Sequence, residues 1–83
     1  MRLSPDVTVT ESGRDLVLLN TKTGRYWTLN QTGGAVLRLL MDGRSPADAA
    51  DELARRHPPF AERIGRDVDA VVRSLLDEKV MLP

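Results

Sequence analysis

The sequence predicts an α+β domain in which a three-stranded antiparallel β-meander is followed by three α-helices. Apolar and β-branched residues alternate over the first third of the chain, the period changes abruptly after Leu29, and helix start and stop signals then recur from Asn30 to Gly43 and from Ser45 to Pro59.

Val7 and Val9 flank Thr8, with Thr10 following, the period-two pattern of a half-buried first strand. Glu11-Ser12-Gly13-Arg14-Asp15 has the Gly and small polar residues of a hairpin connection, and Leu16-Val17-Leu18-Leu19 reads as a more fully buried, central second strand. Asn20-Thr21-Lys22-Thr23-Gly24 is a second turn, with Gly24 free to take a positive φ. Arg25-Tyr26-Trp27-Thr28-Leu29 is the third strand. Because side chains alternate across a sheet, Trp27 and Leu29 are assigned to its covered face and Tyr26 and Thr28 to the other.

Asn30 and Thr32 are both good helix N-caps, and Ala35, Val36, Leu37, Leu39, Leu40 and Met41 form a strongly apolar helix that stops at Asp42-Gly43. Gly33 and Gly34 would each weaken a helical turn by about 1 kcal/mol, so they are read as a close backbone approach at the strand-to-helix junction. Ser45 as cap, Pro46 at the first helical position and Asp48 in the first turn start a second helix. Ala49, Ala50, Leu53 and Ala54 give it a small-residue face, Arg55-Arg56 suit its negative end, and His57-Pro58-Pro59 stop it. A third helix starts between Phe60 and Arg66 and runs to about Lys79. Ile64, Val68, Val71 and Leu75 form its core stripe, with Val72 and Leu76 beside it. Val80-Met81-Leu82 is an apolar tail expected to pack back on the core or to pair with the sheet edge.

The chain has 83 residues, 12 Lys+Arg, 12 Asp+Glu, one His and no Cys. That length makes one domain, residues 1–83, burying roughly 60–65% of its unfolded surface, too little for an enclosed site with separate substrate and cofactor pockets. The absence of cysteine removes disulfide frameworks, zinc ribbons and thiol catalysis. The longest uninterrupted apolar run is Leu16–Leu19, and the opening residues have no apolar signal-type region, so a cytoplasmic protein with no membrane segment is expected. Zero net charge lacks the surplus that duplex nucleic-acid binders usually carry.

No catalytic or metal-binding constellation emerges. His57 has no second His and no Cys to share a metal, and reads as a capping or solvated histidine. The acidic pairs Asp51-Glu52, Asp67/Asp69 and Asp77-Glu78 read as solvated helix faces, and Gly33-Gly34 lacks the residues that cradle a phosphate. The third strand is more informative. It is the last before the chain leaves the sheet, and Tyr26-Trp27-Thr28-Leu29 lacks the Lys, Pro or central charge that normally blunts an open edge. Either Trp27 and Leu29 are simply core and Tyr26 a surface aromatic, or the edge accepts an extended peptide as an added strand. The residues by themselves leave both readings open.

Gly24-Arg25-Tyr26-Trp27-Thr28-Leu29-Asn30-Gln31-Thr32-Gly33, then an apolar helix, Asp42-Gly43-Arg44-Ser45-Pro46, an Ala-rich helix with Leu53, and Asp67-Val68 on the last helix together resemble the PqqD-like family. These are the small peptide chaperones, or RiPP recognition elements, of pathways that make modified ribosomal peptides. The similarity runs from Val7 to Leu82, and within the family it is greatest to the stand-alone leader-binding proteins of lasso peptide biosynthesis. It implies a winged-helix-like fold and a non-catalytic, cofactor-free protein that binds the leader of a precursor peptide as a fourth strand. On that reading Arg25, Tyr26, Trp27, Thr28 and Leu29 contribute the strand, acting largely through backbone groups. Val68, Asp69, Val72, Arg73 and Leu76 form the groove wall on the third helix, with an apolar pocket near Val72 and Leu76 and with Asp69 and Arg73 selecting charge or fixing register. The implied partners, besides the precursor peptide, are a leader-cleaving cysteine protease and an ATP-dependent macrocyclase. Arg55, Arg56, Arg63 and Arg66 are either a docking surface for such a partner or ordinary surface charge.

Two other classes compete. A winged-helix transcriptional regulator would need a basic recognition helix, but the second helix offers Ala47, Asp48, Asp51 and Glu52, whose carboxylates repel phosphate. An interaction module using the same edge for a folded partner conflicts with no residue.

Overall fold

In the computed structural model, which describes residues 1–83, the alternating first third builds a three-stranded antiparallel sheet in sequence order. A short strand, β1 (Arg2–Leu3), precedes the sheet strands β2 (Val7–Ser12), β3 (Asp15–Asn20) and β4 (Tyr26–Leu29). Three helices follow, α1 (Gln31–Met41), α2 (Pro46–Arg56) and α3 (Ala61–Asp77), with a 3₁₀ turn (Pro58–Phe60) before α3, and the chain closes in β5 (Met81–Leu82).

The sheet register brings Val9, Leu18 and Trp27 into one row and Glu11, Leu16 and Leu29 into the next, on the face covered by the helices. The hairpin is tighter than its composition suggested. Pairing continues to Ser12↔Asp15, so only Gly13-Arg14 connect β2 and β3, with Gly13 at φ 63° as a glycine-first two-residue turn requires. The next turn is held by Asn20, whose Oδ1 accepts from the backbone N–H of Lys22 at 2.9 Å and Thr23 at 3.1 Å.

Of the two candidate caps for α1, Asn30 is used; its Oδ1 accepts from the Gly33 N–H at 2.9 Å. Gly33 and Gly34 lie inside the first helical turn. A Cβ at Gly34 would come within 3.2 Å of the Leu16 side chain, so the helix approaches β3 more closely there than alanine would allow. Ser45 caps α2 by accepting from the Asp48 N–H at 3.0 Å, with Pro46 in the first turn. At the end of α3, Lys79 adopts φ 59°, and the N–H groups of Val80 and Lys79 donate to the carbonyls of Leu75 and Leu76, the paired bonds of a Schellman ending with lysine where glycine is usual.

That reversal returns Val80 and Met81 to the core, each 1% exposed. The tail pairs with β1, through Arg2↔Leu82 and Leu3↔Met81, and not with the edge of the three-stranded sheet. Leu18, Val36, Leu37, Leu40 and Val68 complete the fully buried centre. On α3 the buried stripe is Ile64, Val68, Val72 and Leu75, while Val71 is half-buried, so Val72 belongs to the core and Val71 to its flank, the reverse of the sequence assignment. No helix is long and apolar enough to cross a membrane.

Candidate functional site

The outer edge of β4 has no partner strand. Which of its backbone groups are free follows from the register. The Asn20 N–H donates to the Arg25 carbonyl at 2.9 Å, so Asn20 and Arg25 are a hydrogen-bonded pair. In an antiparallel ladder such pairs alternate with non-bonded ones, which turns Trp27 and Leu29 toward β3 and leaves the N–H and C=O of Tyr26 and Thr28 pointing away from the sheet. No charged side chain lies between Tyr26 and Leu29 to blunt this edge.

Side chains divide as alternation requires. Trp27 and Leu29 are half-buried and pack on the core, whereas Tyr26 is 71% exposed and Thr28 is exposed on the opposite face. Arg25 closes one end of the strand: its guanidinium lies 5.4 Å from the Trp27 ring centroid and bonds the Glu78 carboxylate at 3.1 Å. This ion pair ties the start of β4 to the C-terminal end of α3.

Because Glu78 faces β4, the helical repeat identifies the rest of that side. At roughly 100° per residue, Ser74, Val71 and Asp67 share a stripe with Glu78. Asp67 accordingly lines a cleft with Gln31 and Thr32, the residues that follow β4. From Asp67 to Glu78 the helix rises about 16 Å, a length comparable with the roughly 13 Å of β4.

This placement separates the residues assigned from sequence. Arg25, Tyr26, Trp27, Thr28 and Leu29 lie together along the open edge. Val68 and Val72 share α3 but are 0% and 8% exposed, and belong to the core. On the helical repeat Asp69, Arg73 and Leu76 fall about half a turn away from the Asp67–Val71–Glu78 stripe. Asp67, Val71 and Glu78, on the side of α3 that Glu78 shares with Arg25, lie outside the set assigned from sequence. Val71, which the sequence places in the core stripe, is half-buried on this side.

The cleft past Leu29 has a volume of about 450 Å³, with Ala35, Leu53 and Ile64 as apolar lining and Arg56, His57 and Arg63 among its polar residues. Phe60 also lines it and is 57% exposed. Glu52 binds both Arg55 and Arg56; the Arg55 hydrogen bond, assisted by Arg56, holds its carboxyl below the usual value. No group of three or more His, Cys, Asp or Glu side chains is arranged to hold a metal ion.

No curated protein matches the chain. Among solved structures, Lasso peptide synthetase B1 complexed with the leader peptide is 36% identical, with 99% of this chain and 96% of that chain covered at a TM-score of 0.87. TbiB1 in complex with the TbiA(beta) leader peptide is 25% identical, with 96% of this chain and 93% of that chain covered at a TM-score of 0.84. Residues 15–81 match the family described as Coenzyme PQQ synthesis protein D (PqqD), from the second strand of the sheet to the first residue of β5, and the chain therefore belongs to the PqqD family.

Proposed function

We propose that this protein is a leader-peptide carrier: it binds the leader of a precursor peptide as an added strand on β4, in the groove beside α3, and presents the rest of the precursor to processing enzymes. The observation that carries this reading is the uncharged edge of β4, with the backbone groups of Tyr26 and Thr28 directed outward and α3 alongside. The likeness to two B1 proteins in complex with leader peptides supports it.

The strand ladder sets register more than affinity. Four backbone hydrogen bonds at about 1 kcal/mol each give roughly 4 kcal/mol, which corresponds to a millimolar complex. Side chains of the peptide entering the groove beside Trp27, Leu29 and Val71 supply the remainder. The carrier acts in the cytoplasm and takes no part in bond-making. A leader-cleaving cysteine protease and an ATP-dependent macrocyclase act on the bound precursor, and tethering raises the local concentration of the scissile segment without a new contact at the reacting bond. The acidic residues Asp48, Asp51 and Glu52 of α2 argue against duplex DNA as the ligand.

Titration with the leader segment of a lasso precursor peptide tests the reading by amide hydrogen exchange. Saturable binding with new protection at Tyr26 and Thr28, and none with duplex DNA, is the expected result. Binding that leaves both amides exchanging freely would remove the strand-addition mode.

A further inference from the structure

Strand addition on β4 does not by itself use the cleft beyond Leu29, yet the two are continuous. Asn30 follows β4 and caps α1, and the next residues, Gln31 and Thr32, form one wall of the cleft. A peptide lying along the open edge and continuing past Leu29 would therefore meet this wall of the cleft.

The lining specifies the chemistry of what enters. Its floor is apolar, from Ala35, Leu53 and Ile64, and the exposed ring of Phe60 stands at its margin. Its charge is unbalanced toward cations. Among its lining side chains Arg56 and Arg63 are set against one carboxylate, Asp67, which Arg63 meets only at 3.7 Å, while Arg56 pairs with Glu52 of its own helix at 3.2 Å. Arg56 and Arg63 have side chains 50% and 74% exposed, which leaves their remaining N–H donors available.

We infer that this cleft is a second subsite of the same peptide site, receiving an apolar side chain together with an adjacent acidic residue from the segment of the bound peptide that extends past Leu29. The apolar side chain rests on Ile64 and Leu53 against Phe60, and the carboxylate accepts hydrogen bonds from Arg56 and Arg63. The subsite fixes which way the peptide runs along β4, because only one end of the added strand reaches it. This inference rests on the carrier reading above.

A displayed library of random 14-residue peptides tests it on the full chain, selected in parallel against the wild type, the R56E/R63E variant and T28P, with circular dichroism confirming each fold. The expected outcome is that wild-type binders carry Asp or Glu beside an apolar residue at one end of the strand segment. Replacing that acid by Lys weakens binding to the wild type at least tenfold, and R56E/R63E restores most of the loss. Binders that require the β4 edge, disappearing with T28P, but show no end-charge preference or no response to charge reversal overturn the subsite and leave the carrier reading intact. Binders indifferent to T28P, or a library that yields none, overturn both.

Discussion

The sheet has two outer edges, and they are treated differently. β2 presents six residues at its edge, but the Val7 N–H already donates to the Ser4 carbonyl, and Glu11 is held by Arg38 of α1 on the covered side. A charge turned toward the covered face and a pre-engaged donor are devices that discourage a further strand. β4 is shorter, four residues, and carries neither within Tyr26–Leu29. Its start is tied to the end of α3 through Arg25 and Glu78, whereas β2 lies at the far side of the sheet. The two edges thus differ in charge and in what flanks them, and the longer one is the more protected.

The sharpest way to break this contrast is proline on each edge. Thr28→Pro removes an outward N–H and is expected to weaken leader binding by about a hundredfold or more, while Glu11→Pro, outward on the other edge, is expected to change it less than about twofold. Calorimetric titration measures both, and equal losses would show that the mutations act through the fold. The flank comes next. Val71→Lys on the β4 side of α3 is expected to weaken binding about tenfold by placing a charge against an apolar wall. Arg73→Glu and Asp69→Lys, half a turn away, are expected to stay within about twofold; a larger effect in either would move the groove to the other side of the helix.

Smaller effects refine the frame around β4. Asn30→Ala removes the α1 cap at the exit of the strand and is expected to lower stability by about 1 kcal/mol, measured by urea denaturation. Arg25→Ala and Glu78→Ala break an ion pair whose side chains are 65% and 36% exposed, so each is expected to cost less than about 1 kcal/mol, with the double variant little worse than either. A coupling well above that would make the bridge a structural brace between β4 and α3.

What was legible in the sequence was local. Asn30, Ser45-Pro46 and Asp42-Gly43 mark helix ends through bonds made within a few residues, and strand alternation fixes which face Trp27 shows to the core. β1 and β5 were not legible, because two-residue strands have no period and exist only by pairing across almost the whole chain. The side of α3 nearest β4 is hard to read for another reason. Apolar residues stand at both 71 and 72 and at both 75 and 76, so periodicity gives the width of the buried face but not which flank meets the sheet and which meets α2. The tie between Arg25 and Glu78 resolves it, and that tie spans most of the sequence.

The stacking of Arg25 on Trp27 gives the protein an optical property. The chain contains a single tryptophan, half-buried on β4 with a guanidinium over its ring. A strand laid along Tyr26 and Thr28 would displace water from beside that indole and alter the cation above it, so unlabelled protein should report occupancy of its own edge through its emission.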